Sequence, residues 1–137
     1  MQIESIHHVA LCVTDLERSR RFYRDILALR EIARPPFDFP GAWFEVAGGQ
    51  QLHLIVHPEA TLRGPKGLDT RDNHLAIRVR SYRDTLEFLR SKGFREDVDN
   101  GDARKIRASI DTTAGFPQIY ILDPDRHVIE INTERPD

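Results

Sequence analysis

The sequence predicts an α+β fold made of two βαβββ modules. Three observations predict it. The chain aligns with itself at an offset of 66 residues. Each copy opens on an alternating strand that runs straight into a capped helix, and each helix is followed by short apolar runs set off by turn residues. With 137 residues, 39% of them apolar, there is material for one compact domain with a core and no room for two ordinary ones.

The repeat sets "HVALCVTDLERSRRFYRDIL" on "HLAIRVRSYRDTLEFLRSKG" without a gap, pairing His8 with His74, Ala10 with Ala76, Val13 with Val79, Phe22 with Phe88 and Arg24 with Arg90. In the first copy, Thr14 as N-cap and Glu17 three residues later have capping-box form. Leu16, Ser19, Phe22, Tyr23 and Ile26 recur at helical spacing, and Ala28 stands where a glycine would often end the helix. Strands are expected at "LREIA", "AWFEVA" and, after the turn Gly48-Gly49, "QLHLIV".

Residues 58–71, "PEATLRGPKGLDTR", read as a linker between module 1 (residues 1–57) and module 2 (residues 72–137). In the second copy Ser81 and Asp84 mark the helix start and Gly93 its end. "FREDV" is expected as the next strand, followed by a poorly defined stretch near 104–110, then "QIYIL", the turn Asp123-Pro124-Asp125-Arg126 and "HVIEIN". Residues 99–117 read as a long polar loop.

Strand parity then sorts the side chains. Val9, Leu11 and Val13 share one face, as do Leu52 with Leu54, Leu75 with Ile77, and Ile129 with Ile131; these aliphatic faces need the helices as partners. The opposite faces carry His8, His53, His74 and Glu130, while His7 falls on the helix side or its edge. His53 and Glu130 become equivalent when "LHL" is aligned with "IEI", with an 11-residue insertion. Three imidazoles and a carboxylate, brought together by face-to-face modules, suit a divalent transition metal. His57 and His127 read as turn or rim residues, and Cys12 as a small buried filler.

Other classes are disfavoured. A net charge of −2 with interspersed signs argues against a nucleic-acid or anionic-membrane surface. No apolar run suits a membrane span, the start "MQIE" is not that of a signal peptide, and a single cysteine excludes an internal disulfide. A cytoplasmic location is the expectation.

Modules beginning "HHVALCVTDLERSRRFYRDIL" and ending "YILDPDRHVIEI" resemble the vicinal oxygen chelate superfamily, which includes glyoxalase I, fosfomycin-resistance enzymes, extradiol dioxygenases and bleomycin-binding proteins. The segments "RPPFDFPGAWF", "QLHLI" and "DNHLAIRV" are most similar to short glyoxalase I-like proteins. The resemblance covers nearly the whole chain. It implies paired modules forming a cupped half-barrel around one metal, held at His8, His74 and Glu130, with His53 at the fourth position, where glyoxalase I has a glutamate.

It further implies a substrate with vicinal oxygens and a metal-stabilised enediolate, with Glu130 as first candidate base and Glu45 as second. Arg78, Trp43 and Phe44 are candidate substrate contacts, one of the two aromatics being core. The cation would be Ni, Zn, Co, Fe or Mn. An Fe(II) extradiol-type dioxygenase and a metal-free drug- or metabolite-binding module are the alternatives. A homodimer is expected, its sites lying within chains or shared between them, and the short linker favours sharing.

Overall fold

In the computed structural model, which describes all 137 residues, β1 (His8–Val13) leads within three residues into α1 (Leu16–Asp25). The helix cap is Asp15 rather than the expected Thr14. Asp15 is in the extended conformation, and its carboxylate accepts the Arg18 amide at 2.9 Å. The Thr14 hydroxyl accepts from the Arg18 guanidinium instead. α1 buries Ser19, Phe22 and Tyr23 and is followed by Ala28 at φ 53°, doing without the glycine that position favours.

β2 (Arg30–Ile32), β3 (Gly41–Glu45) and β4 (Gln51–Val56) complete a sheet of order β1-β4-β3-β2. β1 and β4 are parallel and the other pairs antiparallel. The aliphatic face expected from parity is the buried one: Val13, Ala42, Phe44, Leu52 and Leu54 are core residues, with Tyr23 of α1 against Phe44. Gly41 must be glycine, because a Cβ there would sit 2.5 Å from the Leu54 carbonyl oxygen.

The same topology recurs in β5 (His74–Arg78), α2 (Tyr82–Ser91), β6 (Arg107–Ser109), β7 (Gln118–Leu122) and β8 (Val128–Asn132), ordered β5-β8-β7-β6. Ser81 caps α2 through the Asp84 amide, as expected. "FREDV" is not a strand. Phe94 is buried, but Arg95 forms only an isolated bridge to Lys105, and Arg95 and Asp97 pair with each other instead of extending a ladder. The edge strand is β6, which falls within the poorly defined stretch near 104–110.

The chain divides into two compact units, Met1–Leu62 and Arg63–Asp137, so residues 63–71 of the expected linker belong to the second. Arg63 fixes them there: its guanidinium donates to Asp72 (2.6 Å) and to the carbonyls of Gly67 and Arg126. Leu68 packs with Tyr120, Leu122 and Val128. The 123–126 turn closes by an Arg126 amide to Asp123 carbonyl bond, with Arg126 at φ 69°. No helix is long and apolar enough to cross a membrane.

Candidate functional site

Register makes the two sheets comparable residue by residue. Ala10 lies opposite His53 across β1 and β4, and Ala76 lies opposite Glu130 across β5 and β8. Trp43 opposite His53 corresponds to Tyr120 opposite Glu130. Because in-register neighbours share a face, His8 and His53 stand on one face of the first sheet, and His74 and Glu130 on the equivalent face of the second.

In the first unit His53 is buried (7% exposed) and stacked on two rings, Trp43 at 4.0 Å and 3° and His8 at 4.2 Å and 15°. Burial, followed by the charges of His8, His7 and Arg34, pushes the His53 pKa down, which favours the neutral imidazole that a metal needs. Its Nε2 is 2.8 Å from Gln51 Oε1. His7 is exposed rather than packed under α1, and its Nδ1 lies 2.9 Å from Nδ1 of His8.

Trp43 belongs to this face, whereas Phe44 does not. Strand alternation turns Phe44 into the core beneath α1, fully buried, so it offers no wall to a substrate. Glu45 shares the Trp43 face by parity, but its carboxylate is ion-paired with Arg30. Cys12 is half-buried, and His57 and His127 lie just outside β4 and β8.

In the second unit Glu130 is 4% exposed. Tyr120 donates its hydroxyl to Oε2 at 2.6 Å and Asn132 donates Nδ2 to Oε1 at 2.6 Å. Burial alone pushes the carboxyl pKa up. Hydrogen bonds from Tyr120, Asn132 and Gln118, with the charge of His74, outweigh it and hold the pKa below its ordinary value. The group is thus a buried carboxylate kept ionised. Tyr120, buried beside it, has its phenol pKa pushed well up.

His74 approaches Glu130 Oε2 with Nε2, at 3.3 Å. Its Nδ1 is 2.8 Å from the Asp72 carbonyl, which can only accept, so Nδ1 carries a proton. An outer hydrogen bond of this kind fixes a histidine for ligation through its other nitrogen. Taken by itself, each unit carries donor types that a divalent transition metal accepts: an ionised carboxylate beside an oriented imidazole in the second, two stacked histidines in the first. Within neither unit do three His, Cys, Asp or Glu side chains gather to hold a metal.

Arg78 shares the His74 face, its guanidinium over the Phe116 ring at 5.1 Å. Sequence reasoning assigned no role to Tyr120 or Asn132. Both follow from parity once β7 and β8 are paired, since each neighbours Glu130 on its own face.

A sequence model described as the Glyoxalase/Bleomycin resistance protein/Dioxygenase superfamily matches residues 5–131. Among curated proteins, uncharacterized protein YwkD of Bacillus subtilis (strain 168) is 25% identical over 134 residues, covering 96% of this chain and 98% of that one. Among solved structures, a glyoxalase/dioxygenase from Nostoc punctiforme is 26% identical with a TM-score of 0.71, covering 97% of this chain and 92% of that one. A mutant of the fosfomycin resistance protein FosX from Listeria monocytogenes, complexed with Mn(II) and 1S,2S-dihydroxypropylphosphonic acid, is 19% identical with a TM-score of 0.68, covering 96% and 93%. With two βαβββ modules in matching register and a family match running from residue 5 to residue 131, the chain belongs to the glyoxalase/bleomycin resistance protein/dioxygenase superfamily.

Proposed function

We propose that this protein is a divalent-metal-dependent, glyoxalase-like lyase or isomerase that moves a proton next to a carbonyl of a small substrate with vicinal oxygens. The observation that carries the reading is Glu130: a carboxylate almost wholly buried, held ionised by Tyr120 and Asn132, and set against an oriented His74. A buried charge so provided for is costly as mere structure and useful as a ligand.

His8 and His53 from one module and His74 and Glu130 from another would hold the metal, the modules pairing within one chain or exchanging across a homodimer. When bound, the cation supplies Lewis-acid stabilisation of charge developing on a substrate oxygen. Glu130 is the preferred base, since Glu45 is neutralised by Arg30. Mn(II), present in the FosX complex, joins Ni, Zn, Co and Fe as the ions to test.

One observation favours a second reading. His53 is stacked on both Trp43 and His8 and bonded to Gln51, and if those contacts hold it away from a metal, His8, His74 and Glu130 remain. Two histidines and a carboxylate suit Fe(II) and oxygen chemistry.

Metal content of the purified, stripped and reloaded protein tests these readings, beside His53→Ala and Glu130→Ala. One metal per chain, lost in Glu130→Ala and weakened in His53→Ala, supports the four-ligand enzyme. Binding indifferent to His53→Ala moves oxygenase chemistry ahead. No metal in the wild type removes both and leaves a metal-free binding module.

A further inference from the structure

The face that carries Glu130 extends beyond it as two polar rows. Across β5, β8, β7 and β6 the first row reads Ala76, Glu130, Tyr120, Arg107 and the second reads Arg78, Asn132, Gln118, Ser109. Glu130, Tyr120, Asn132 and Gln118 are hydrogen-bonded to one another, Ser109 donates to the Asp111 carbonyl and Arg78 lies over Phe116. Two groups are left over. Asn132 is 7% exposed, yet its Oδ1 has no hydrogen-bond partner. Flipping the amide gives no relief, because it would turn oxygen toward the Glu130 carboxylate that Nδ2 now serves. Arg107, at the other end of the face, has a guanidinium engaged by no carboxylate or carbonyl.

Arg107 lines a pocket of about 180 Å³ together with Thr70, Ser109, Gln118 and Tyr120. The Thr70 hydroxyl stands beside this guanidinium, and the Ser109 hydroxyl, held to the Asp111 carbonyl by a long bond of 3.3 Å, can turn to join it; the Gln118 amide is shared with Glu130, and no anion of the protein's own is among the lining residues. A guanidinium matches carboxylate and phosphate oxygens in a planar fork, and charge-assisted bonds of this kind are the strong ones. Tyr120 is the wall shared with Glu130, so the pocket adjoins the proposed reaction site.

We propose that this pocket is an oxyanion subsite, and that the substrate carries a carboxylate or phosphate group seated on Arg107, Ser109 and Thr70. The assignment rests on the enzymatic reading above, whose substrate class it narrows. Arg107 and Glu130 lie two strands apart, which puts their backbones roughly 10 Å from each other and the oxyanion at a distance of that order from the reacting oxygens. Asn132 Oδ1, two residues from Glu130 along β8 and in the neighbouring row, accepts from a hydroxyl on the part of the substrate next to the reacting oxygens. A bare two-carbon or three-carbon oxoaldehyde does not meet these requirements; a longer, acidic carbonyl compound does.

The test is an NMR titration of the metal-free full chain with sodium acetate and with inorganic phosphate, at constant ionic strength. Saturable shifts of the amides of residues 107–109 and 118–120 are expected. Arg107→Gln should weaken binding about tenfold or more, the loss of one charge-assisted contact. Arg107→Lys should retain part of it. Tighter acetate identifies a carboxylate substrate and tighter phosphate a phosphorylated one. No saturable binding of either anion by the wild type, or binding unchanged in Arg107→Gln, overturns the proposal. The metal assay is separate: a wild type that binds anions but no metal fails the enzymatic reading alone.

Discussion

His74 Nε2 lies 3.3 Å from Glu130 Oε2, while the proton of its other nitrogen is committed to the Asp72 carbonyl. Two groups with lone pairs face each other unless a cation, a proton or a metal, stands with them. Metal binding should therefore stabilise the native state at this point. At a free metal concentration of a hundred times Kd the gain is about 2.7 kcal/mol. Thermal unfolding with and without Ni(II), Zn(II) or Mn(II) reads it. The metal-induced rise should vanish in Glu130→Gln, and an equal rise in that variant would place the metal elsewhere.

Trp43, the single tryptophan, stacks on His53 at 4.0 Å. Its fluorescence is therefore a local reporter of His53. Ni(II) or Co(II) bound by that imidazole should quench the emission saturably, and His53→Ala should abolish the saturable part. Quenching that persists in His53→Ala would show that His53 is no ligand, which agrees with the three-ligand alternative.

Tyr120 donates its hydroxyl to Oε2 of Glu130, a carboxylate that is nearly inaccessible to water. Removing the hydroxyl in Tyr120→Phe leaves Oε2 short of a donor without opening a cavity. The metal-free variant should lose about 1.5–3 kcal/mol, the range for hydrogen bonds to charged groups. Urea unfolding measures it, and a loss below about 0.5 kcal/mol would mean that water or His74 takes over the bond.

The repeat, both helices, β4, β7 and β8 were legible because alternation and caps are strong local signals. β6 was not. Arg107-Ala108-Ser109 has no apolar alternation, and its strand character comes only from pairing with β7 at the sheet edge. "FREDV" misled because Phe94 does anchor in the core while the polar residues after it find no ladder. In the candidate site, parity gave the face of every proposed ligand, and even Asn132 as a neighbour of Glu130. It could not show that Tyr120 reaches the carboxylate or that Phe44 rather than Trp43 is core, since both depend on which sheet face meets the helix.

Arg90 in the last turn of α2 lies 2.5 Å from Glu96, and this hydrogen bond holds the Glu96 carboxyl below its ordinary value of 4.5. A carboxylate whose pKa is depressed on folding stabilises the native state above the unfolded pKa. That contribution is lost as pH falls from 4.5 through the lower folded value. Both side chains reach solvent, so screening keeps the effect small. Denaturation midpoints of wild type and Glu96→Gln should differ at pH 7 and converge below pH 4.5. A constant difference across that range would deny the ion pair any part in it.

Ala28 and Arg126 both occupy left-handed backbone, at φ 53° and 69°, where a Cβ costs about 1 kcal/mol relative to glycine. Their side chains differ. Ala28 is exposed and its methyl does nothing further, so Ala28→Gly should stabilise the protein by about 1 kcal/mol. Arg126 donates Nε to the Lys66 carbonyl at 2.8 Å and Nη2 to the Gly101 carbonyl, tying two loops to the 123–126 turn. Arg126→Gly relieves the same strain and removes both bonds, each worth about 1 kcal/mol. It should be neutral or destabilising despite the identical backbone gain. Chemical denaturation of the two variants side by side decides the matter: equal stabilisation would show that the Arg126 contacts contribute nothing, and no gain in Ala28→Gly would show that the helix end relaxes in the unfolded chain's favour.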